Sequence, residues 1–477
     1  MEKWLNAAAQ QRLHSFSGRN VGIVGLGREG VDLARFLGAF GAHITLSDTA
    51  DETTLGAAVL ALHDLSPRYL LGEQRASDLL DCDEVLVSPG VPRSVPVVAA
   101  AAAAGIPISS ATRLYFELCP GPILAVTGSS GKTTTTTLIG NMLRAAGLPT
   151  VMGGNMGTPM LAQLRDVDSD TWSVMELSSF QLDDLTQSPR IGAVLNITPN
   201  HLDRHPDMDD YIRAKGNLIR FQRSEDVAIL NADDPIVSNL AHVGHSAWFS
   251  LKGPVSGAWL EGNDLLLGGL PSAPNSMTTT ETVRLVSRYE IPLRGIHNVA
   301  NVLAASAAAA SAGSSAESIS TAIRAFRAVP HRIEIVATVD GVTYVNDSIA
   351  TSPERSMAAL ASFEEPVILI AGGRDKHLPM LDWARMIGAR ARGIVLVGEA
   401  SAQIDAALDE AQVSIPRERA GSFAESIRLA TALARAGDVV LLSPGCTSFD
   451  EFRDYEARGE AFRVSVADLV RGGGNGR

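Results

Sequence analysis

The stretch Ala125-Val-Thr-Gly-Ser-Ser-Gly-Lys-Thr-Thr134 decides the fold: an apolar strand, Pro122 to Val126, runs into a glycine loop that opens a helix over Thr133 to Leu143. Such a loop turns its backbone N–H groups inward on a phosphate, and the helix N-terminus behind it adds roughly half a positive charge at the same point. The spacing Gly128-x-x-Gly131-Lys-Thr-Thr is a shortened phosphate loop, because Val126 stands where the full pattern has its first glycine. Lys132 is placed to reach the outer phosphates, and Thr133 or Thr134 to give a hydroxyl to the accompanying magnesium. A Gly-Lys-Thr can fall by chance in a turn, but the strand before it and the apolar-periodic helix after it argue for a triphosphate cradle. An ATP-using enzyme is expected.

Outward from the loop, strand and helix alternate: Ser173 to Leu177, Ile191 to Ile197, a helix over Met208 to Phe221, and Val227 to Asn231. Alternation of this kind predicts a mostly parallel sheet with helices on both faces. Glu176 falls at the end of a strand beside the loop strand, where a carboxylate can hold a divalent ion, and Ser178, Ser179 and Gln181 follow in the same turn. His201 falls just past another strand end, so three strand ends point at one crevice. Lys215 lies on the helix over Met208 to Phe221, where a lysine is ordinarily solvated. From about Ala247 to Glu290 the period shortens to two, which predicts a small antiparallel appendage, and Gly268 to Thr282 reads as a mobile loop. Gly295-Ile-His-Asn-Val-Ala-Asn301 then opens an alanine-rich helix to Ala312.

On the N-terminal side, a strand ending in Gly25-Leu-Gly-Arg-Glu-Gly30, a helix and a second strand ending at Asp48 form a Rossmann nucleotide pattern, which taken alone suggests NAD. Glu84 to Ser88 is a further strand, running into the turn Pro89-Gly-Val-Pro92. A first boundary is expected near residue 110. After Val329-Pro-His-Arg332 a third α/β unit begins, with strands at Val342 to Asn346, Pro366 to Ala371, Gly393 to Val397 and Asp438 to Ser443. The tail Arg471 to Arg477 has no core-forming residue and is expected to be disordered.

Length and composition agree with this division. A chain of 477 residues exceeds what one core sustains and is expected to form about three domains. The net charge of −13, with no Lys/Arg run longer than a dipeptide, argues against a nucleic-acid partner. The three cysteines, Cys82, Cys119 and Cys446, have no metal-like spacing, so neither a disulfide framework nor a zinc site is indicated and a reducing cytoplasm is expected. The longest weakly polar run, Val97 to Ile108, is too short to span a bilayer, so no membrane insertion is expected.

With these motifs in order, the chain resembles the Mur ligase family of peptidoglycan amide-forming ligases, most closely its D-glutamate-adding members. The motifs that carry the resemblance are Gly25-Leu-Gly-Arg-Glu-Gly, Ser88-Pro-Gly-Val-Pro, Gly128-Ser-Ser-Gly-Lys-Thr-Thr, Gly154-Asn-Met-Gly157, Glu176-Leu-Ser-Ser-Phe-Gln-Leu and His201-Leu-Asp-Arg-His. Further along come Ala214-Lys215, Gly295-Ile-His-Asn-Val-Ala-Asn, His331-Arg332, Asn346-Asp-Ser, Gly372-Gly-Arg-Asp-Lys376 and Leu442-Ser-Pro-Gly-Cys-Thr-Ser448.

The resemblance implies an α/β protein of three domains: a UDP-binding Rossmann-like domain (1–110), a central phosphate-loop ATPase with a parallel sheet and a small antiparallel appendage (111–328), and a C-terminal Rossmann-like domain (329–477). It implies that ATP and two Mg2+ ions drive the joining of D-glutamate to UDP-N-acetylmuramoyl-L-alanine through an acyl phosphate, with closure of the third domain keeping water out. Gly128, Ser129, Ser130, Gly131, Lys132, Thr133 and Thr134 would cradle the phosphates. Asn298 and Asn301 would contact adenine, Asp347 the ribose and Arg332 the γ-phosphate. Thr133, Glu176, His201 and a carbamylated Lys215 would hold metal, and Lys132, His201, Lys215 and Arg332 would be catalytic. Gly27, Arg28, Asp48, Ser88, Asn155, Ser178 and Gln181 would meet the UDP-sugar, and Thr351, Lys376, Ser448 and Tyr455 the amino acid.

The expected partners are these small molecules, with no nucleic acid and no membrane, for a cytoplasmic monomer. Ile349, Ala50 and Tyr455 depart from the family's usual Lys, Arg and Phe, which touches substrate contacts rather than the reaction type. Other readings are another amide ligase of the superfamily, such as a folate polyglutamating enzyme, or a nucleotide-binding regulator, or a dehydrogenase built on the first fingerprint.

Overall fold

Apolar runs bounded by glycine turns become buried strands, and here they assemble into three sheets. In the computed structural model, residues 5–199, 204–270, 281–327, 330–363, 365–375 and 378–473 are described. They divide into two compact units, one of residues 1–291 with 299–326 and one of residues 292–298 with 327–477.

The first unit holds two of the sheets. Strands β1 (Asn20–Val24), β2 (His43–Asp48), β3 (Arg68–Leu71), β4 (Glu84–Val87) and β5 (Ile108–Ser109) lie parallel in the order β3-β2-β1-β4-β5. The order reverses between β1 and β4, and ligands of open α/β sheets lie outside such a switch point. Gly25 and Ser88 follow those two strands. The second sheet contains β6 (Ile123–Thr127), β7 (Thr150–Gly154), β8 (Trp172–Glu176), β9 (Ile191–Val194), β10 (Val227–Asn231), β11 (His245–Ser250), β12 (Gly257–Glu261), β13 (Asp264–Gly268) and β14 (Val283–Ser287). Its order is β14-β13-β12-β11-β10-β9-β6-β8-β7.

The expected antiparallel appendage is corrected in extent. Strands β11 and β12 continue the parallel ladder from β10, and only β13 and β14 run antiparallel, as an extension of the same sheet. Period-two patterning reports which face of a strand is solvated and carries no information on strand direction. The predicted loop over Gly268 to Thr282 falls largely on residues 271–280, outside the described residues.

The second unit is built on β15 (Glu334–Val339), β16 (Val342–Asn346), β17 (Val367–Gly372), β18 (Ala391–Val397), β19 (Arg417–Arg419) and β20 (Val439–Gly445), ordered β15-β16-β20-β17-β18-β19. The pairs are parallel except for the β15–β16 hairpin, whose turn puts Asp340 at φ +49° and Gly341 at φ +80°. Two positive φ values in a two-residue loop match the twist of the flanking strands.

Alternate strand residues point to opposite faces, so this sheet carries two cores. Val345, Leu369 and Leu441 pack with Trp383 on one face, and Tyr344, Ile370 and Leu442 with Phe462 on the other. In the first unit one apolar cluster runs from Leu13, Ile23 and Leu37 through Leu114 and Tyr115 to Leu182 and Tyr211. The alanine-rich helix Ile296–Ser311 buries Ala304, Ala305, Ala307 and Ala308 completely. The tail also needs correction: the last helix, Tyr455–Gly473, continues through Arg471, and residues 474–477 lie outside the described residues.

Candidate active site

Strand β6 sits between β8 and β9, so Thr127, Glu176 and Val194 end side by side and the loop Gly128 to Gly131 rises among them. Gly131 caps the helix Lys132–Ala145 at φ +80°, and a Cβ there would collide with the Asn301 side chain. Only glycine permits both the conformation and the approach. No side chain caps this helix, so its first N–H groups are left for an anion. The loop is held from one side: Ser129 N–H donates to Asn196 O at 2.9 Å, Ser130 N–H to Asn196 Oδ1 at 2.9 Å, and Ser129 Oγ to Thr198 O at 2.9 Å. Lys132 folds back over its own loop, with Nζ donating to Gly128 O at 2.9 Å.

The buried Glu176 carboxylate accepts from Thr133 Oγ1 at 2.7 Å and from Asn155 Nδ2 at 3.0 Å. Of the two threonines the sequence left open, Thr133 is the one on Glu176; Thr134 is buried in the helix packing. His201 lies outside the described residues, and among the described residues no group of three His, Cys, Asp or Glu gathers.

Lys215 departs most from its ordinary setting. On the helix Met208–Arg220 a solvated lysine is the usual outcome, yet Lys215 is 2% exposed. Its Nζ donates to Gly128 O at 2.9 Å and lies 4.8 Å over the Tyr211 ring. Burial holds its pKa well below the usual lysine value; Lys132 adds to this and Glu176 opposes it. An amine so placed is a nucleophile, as surface ammonium groups are not.

Beside the loop, Tyr211 OH stands 3.0 Å from Ser129 Oγ, and the buried His205 stacks on Phe180 with its nitrogens at Asp210 Oδ2 (2.8 Å) and Ser179 Oγ (2.9 Å). A cleft opens there between Ser88, Arg93, Gln181, Arg204 and His205, with Arg93 paired to Asp184. The Gln181 amide is oriented from both ends: its oxygen accepts from Ser178 N–H at 3.0 Å, and its nitrogen donates to Glu29 Oε1 at 2.9 Å. Burial, with Asp32 nearby, pushes Glu29 up to about 7. Asp48 ties the nucleotide turn by accepting from Leu26 N–H at 2.7 Å and Ala50 N–H at 2.9 Å, and Ser88 Oγ donates to Gly25 O at 2.9 Å. Gly27 caps the helix Arg28–Ala39 without a side chain, and Arg28 lies beside Gly157.

In the second unit Asp347 is buried, accepting from Ser443 Oγ at 2.8 Å and Ile333 N–H at 3.2 Å. Burial raises its pKa to about 7 against those bonds and against Arg332. His331 accepts from Asn346 Nδ2 at 3.0 Å and faces the Tyr455 ring edge-on. Thr351 is half-buried and Ser448 buried, and Lys376 lies outside the described residues. Asn298 donates to Arg294 O at 2.7 Å. At the Ile349 position, Arg355 donates to the Ile349 carbonyl at 3.2 Å, bringing a cation to that turn.

Sequence reasoning passed over Glu29, His205 and Arg458. The first two lie inside quoted motifs, where an unexpected acid and a second histidine were the available signals. Arg458, 3% exposed and donating to Ser348 and Cys446, had none.

Comparison with known proteins agrees across the chain. Residues 19–110 match the Mur ligase MurD-like N-terminal domain, residues 126–309 the Mur ligase middle domain, and residues 331–446 the Mur ligase glutamate ligase domain. The UDP-N-acetylmuramoylalanine–D-glutamate ligase of Roseiflexus sp. (strain RS-1) is 41% identical over 473 residues, covering 95% of this chain and 99% of that protein. The ligase of the same name from Acetivibrio thermocellus is 38% identical, over 94% of this chain and 97% of its own. Among solved structures, the UDP-N-acetylmuramate-alanine ligase MurC of Thermotoga maritima aligns with a TM-score of 0.59 at 18% identity, over 94% of this chain and 99% of that one. The pseudomurein peptide ligase type C of Methanothermus fervidus gives 0.55 at 16%, over 95% and 100%. At these identities the structural likeness speaks for the fold.

Proposed function

This chain belongs to the Mur ligase family, and on that premise we propose that it joins D-glutamate to UDP-N-acetylmuramoyl-L-alanine with cleavage of ATP to ADP and phosphate, in peptidoglycan precursor synthesis. The observation that carries the reading is the gathering of Lys132 and Thr133 at a helix start, Lys215 from a second helix and Glu176 from the end of β8 around the Gly128 loop. The donor set suits magnesium, since Thr133 Oγ1 and Glu176 Oε2 are hard oxygen ligands 2.7 Å apart. Thr133 and Glu176 would hold one Mg2+, and His201 with a carbamate on Lys215 a second, neutralising phosphate charge when bound. The depressed pKa of Lys215 supports carbamylation, because only the neutral amine adds to carbon dioxide.

Lys132 and Arg332 would spread the charge that develops as the L-alanyl carboxylate attacks the γ-phosphorus and the bond to ADP breaks. The glutamate amine then displaces phosphate from the acyl phosphate. Gly128 to Thr134 would cradle the phosphates, Asn298 and Asn301 meet adenine, and Asp347 the ribose. Gly27, Arg28, Asp48, Ser88, Asn155, Ser178 and Gln181 would bind the UDP-sugar. Thr351, Lys376, Ser448 and Tyr455 would take D-glutamate. Domains at 1–110, 111–328 and 329–477 are proposed for these tasks, one sheet to each. Among the described residues no helix is long and apolar enough to cross a membrane, and we propose a cytoplasmic monomer.

The test is ATP-dependent phosphate release with UDP-N-acetylmuramoyl-L-alanine and Mg2+, adding D-glutamate, L-glutamate, L-alanine or meso-diaminopimelate in turn. Release with D-glutamate alone is expected. Release with L-glutamate instead would reverse the stereochemical assignment, and release needing neither substrate would point to a regulator.

A further inference from the structure

We propose that Arg458 is the positioning residue of the amino-acid subsite, one buried guanidinium that ties together three strand ends beside it. The inference rests on the ligase reading above. Arg458 lies in the first turn of the helix Tyr455–Gly473 and is 3% exposed. Nε donates to Ser348 Oγ at 3.0 Å, Nη2 to Ser348 O at 2.9 Å and Cys446 O at 3.1 Å, and Nη1 reaches Gly372 O at 3.5 Å. Those acceptors stand at or just past the ends of β16, β20 and β17, three neighbours in the sheet, on the side where ligands of open α/β sheets gather.

Two of these loops carry a proposed subsite residue within a few positions: Thr351 after Ser348 and Ser448 after Cys446. Tyr455 is tied in as well, its carbonyl accepting from Ser348 Oγ at 2.8 Å. A Cβ on Gly373 would come within 3.0 Å of Nη1, so that loop lies directly against the guanidinium.

Only arginine has the reach and the planar fork of donors to serve three loops at once; a lysine offers one point of attachment. All the acceptors are neutral oxygens, so the cation is not discharged by an ion pair at its own site. Asp450 supplies the opposing field, and burial brings the guanidinium down to about 10, which leaves it charged at neutral pH. Its charge behind the loops favours an amino acid with a second carboxylate over a neutral one, through a group that does not touch the substrate.

Steady-state kinetics on the full chain test this with Arg458→Lys, Arg458→Ala and Ser348→Ala, alongside thermal midpoints. In Arg458→Ala the KM for D-glutamate is expected to rise about tenfold or more while those for ATP and the UDP-sugar stay within about twofold, with Arg458→Lys between it and wild type. Ser348→Ala, which keeps the guanidinium and removes one acceptor, covers the case in which the arginine variants do not fold; a rise of about two- to fivefold is expected. An unchanged D-glutamate KM, or three KM values and kcat moving together, would overturn the proposal. If wild type turns over with another amino acid, the substrate assignment falls and the same KM split is measured with that amino acid. If wild type shows no amino-acid-dependent release, both readings fall.

Discussion

Burial, and after it the charge of Lys132, pushes the pKa of the 2% exposed Lys215 amine well below the usual lysine value. Lys215→Met, of similar length and without the amine, is expected to lower kcat by about a hundredfold or more while leaving the thermal midpoint unchanged or raised. A variant that loses activity only in proportion to lost folded protein would contradict a role in catalysis. Glu29 carries a second consequence of burial. Its carboxyl goes from an ordinary 4.5 to about 7 in the native state, so over that window the folded chain binds more protons than the unfolded one. Stability therefore falls as pH rises from 4.5 to about 7, and the loss is complete above it. Glu29→Gln keeps an acceptor for Gln181 and removes the titration. It is expected to exceed wild type by on the order of 2 kcal/mol at pH 8 and to match it near pH 4, read by chemical denaturation. A gain as large at pH 4 would show that the effect is not ionisation. Neither residue declared this in the sequence, because exposure and charge state come from neighbours far along the chain.

The phosphate loop works as an element, since its strand, its left-handed glycine and its uncapped helix act together. Gly131→Ala is expected to cost about 1–3 kcal/mol from backbone strain and to abolish ATP binding, measured by thermal midpoint and nucleotide titration. Retained ATP affinity would mean the loop is not the cradle. The alanine-rich helix Ile296–Ser311 is sensitive in the opposite direction: Ala307→Leu overfills a site with no exposed surface and is expected to destabilise by about 1–3 kcal/mol in urea denaturation. The elements legible in the sequence were the central ones. The strands it passed over, β3, β7, β15 and β19, all stand at sheet edges, and nearly all their residues are only partly buried or exposed. An edge strand has one ladder and often one covered face, so it lacks the continuous apolar run by which a central strand is recognised.

At the scale of the whole molecule, two compact units with separate cores predict two thermal transitions rather than one. Mg2+ with ATP is expected to raise the transition of the unit carrying the phosphate loop by about 2–3 kcal/mol at a hundredfold excess over Kd. Calorimetry checks this, and a single transition indifferent to nucleotide would contradict it. With a net charge of −13, attraction of the anionic substrates proposed above would have to be local, through Lys132, Arg332 and the helix N-termini. The sequence by itself determined the α/β class, the phosphate loop, the strand-end carboxylate Glu176 and the family, because periodicity, glycine loops and motif order are local properties of the chain. Only the tertiary structure decided that Lys215 is buried against Gly128, that Glu29 leans on Gln181, that β13 and β14 extend the main sheet, and that Arg458 gathers Ser348, Gly372 and Cys446. The Lys215–Gly128, Glu29–Gln181 and Arg458–Ser348 contacts join residues 87, 152 and 110 positions apart, which burial and hydrogen bonding specify and local pattern does not.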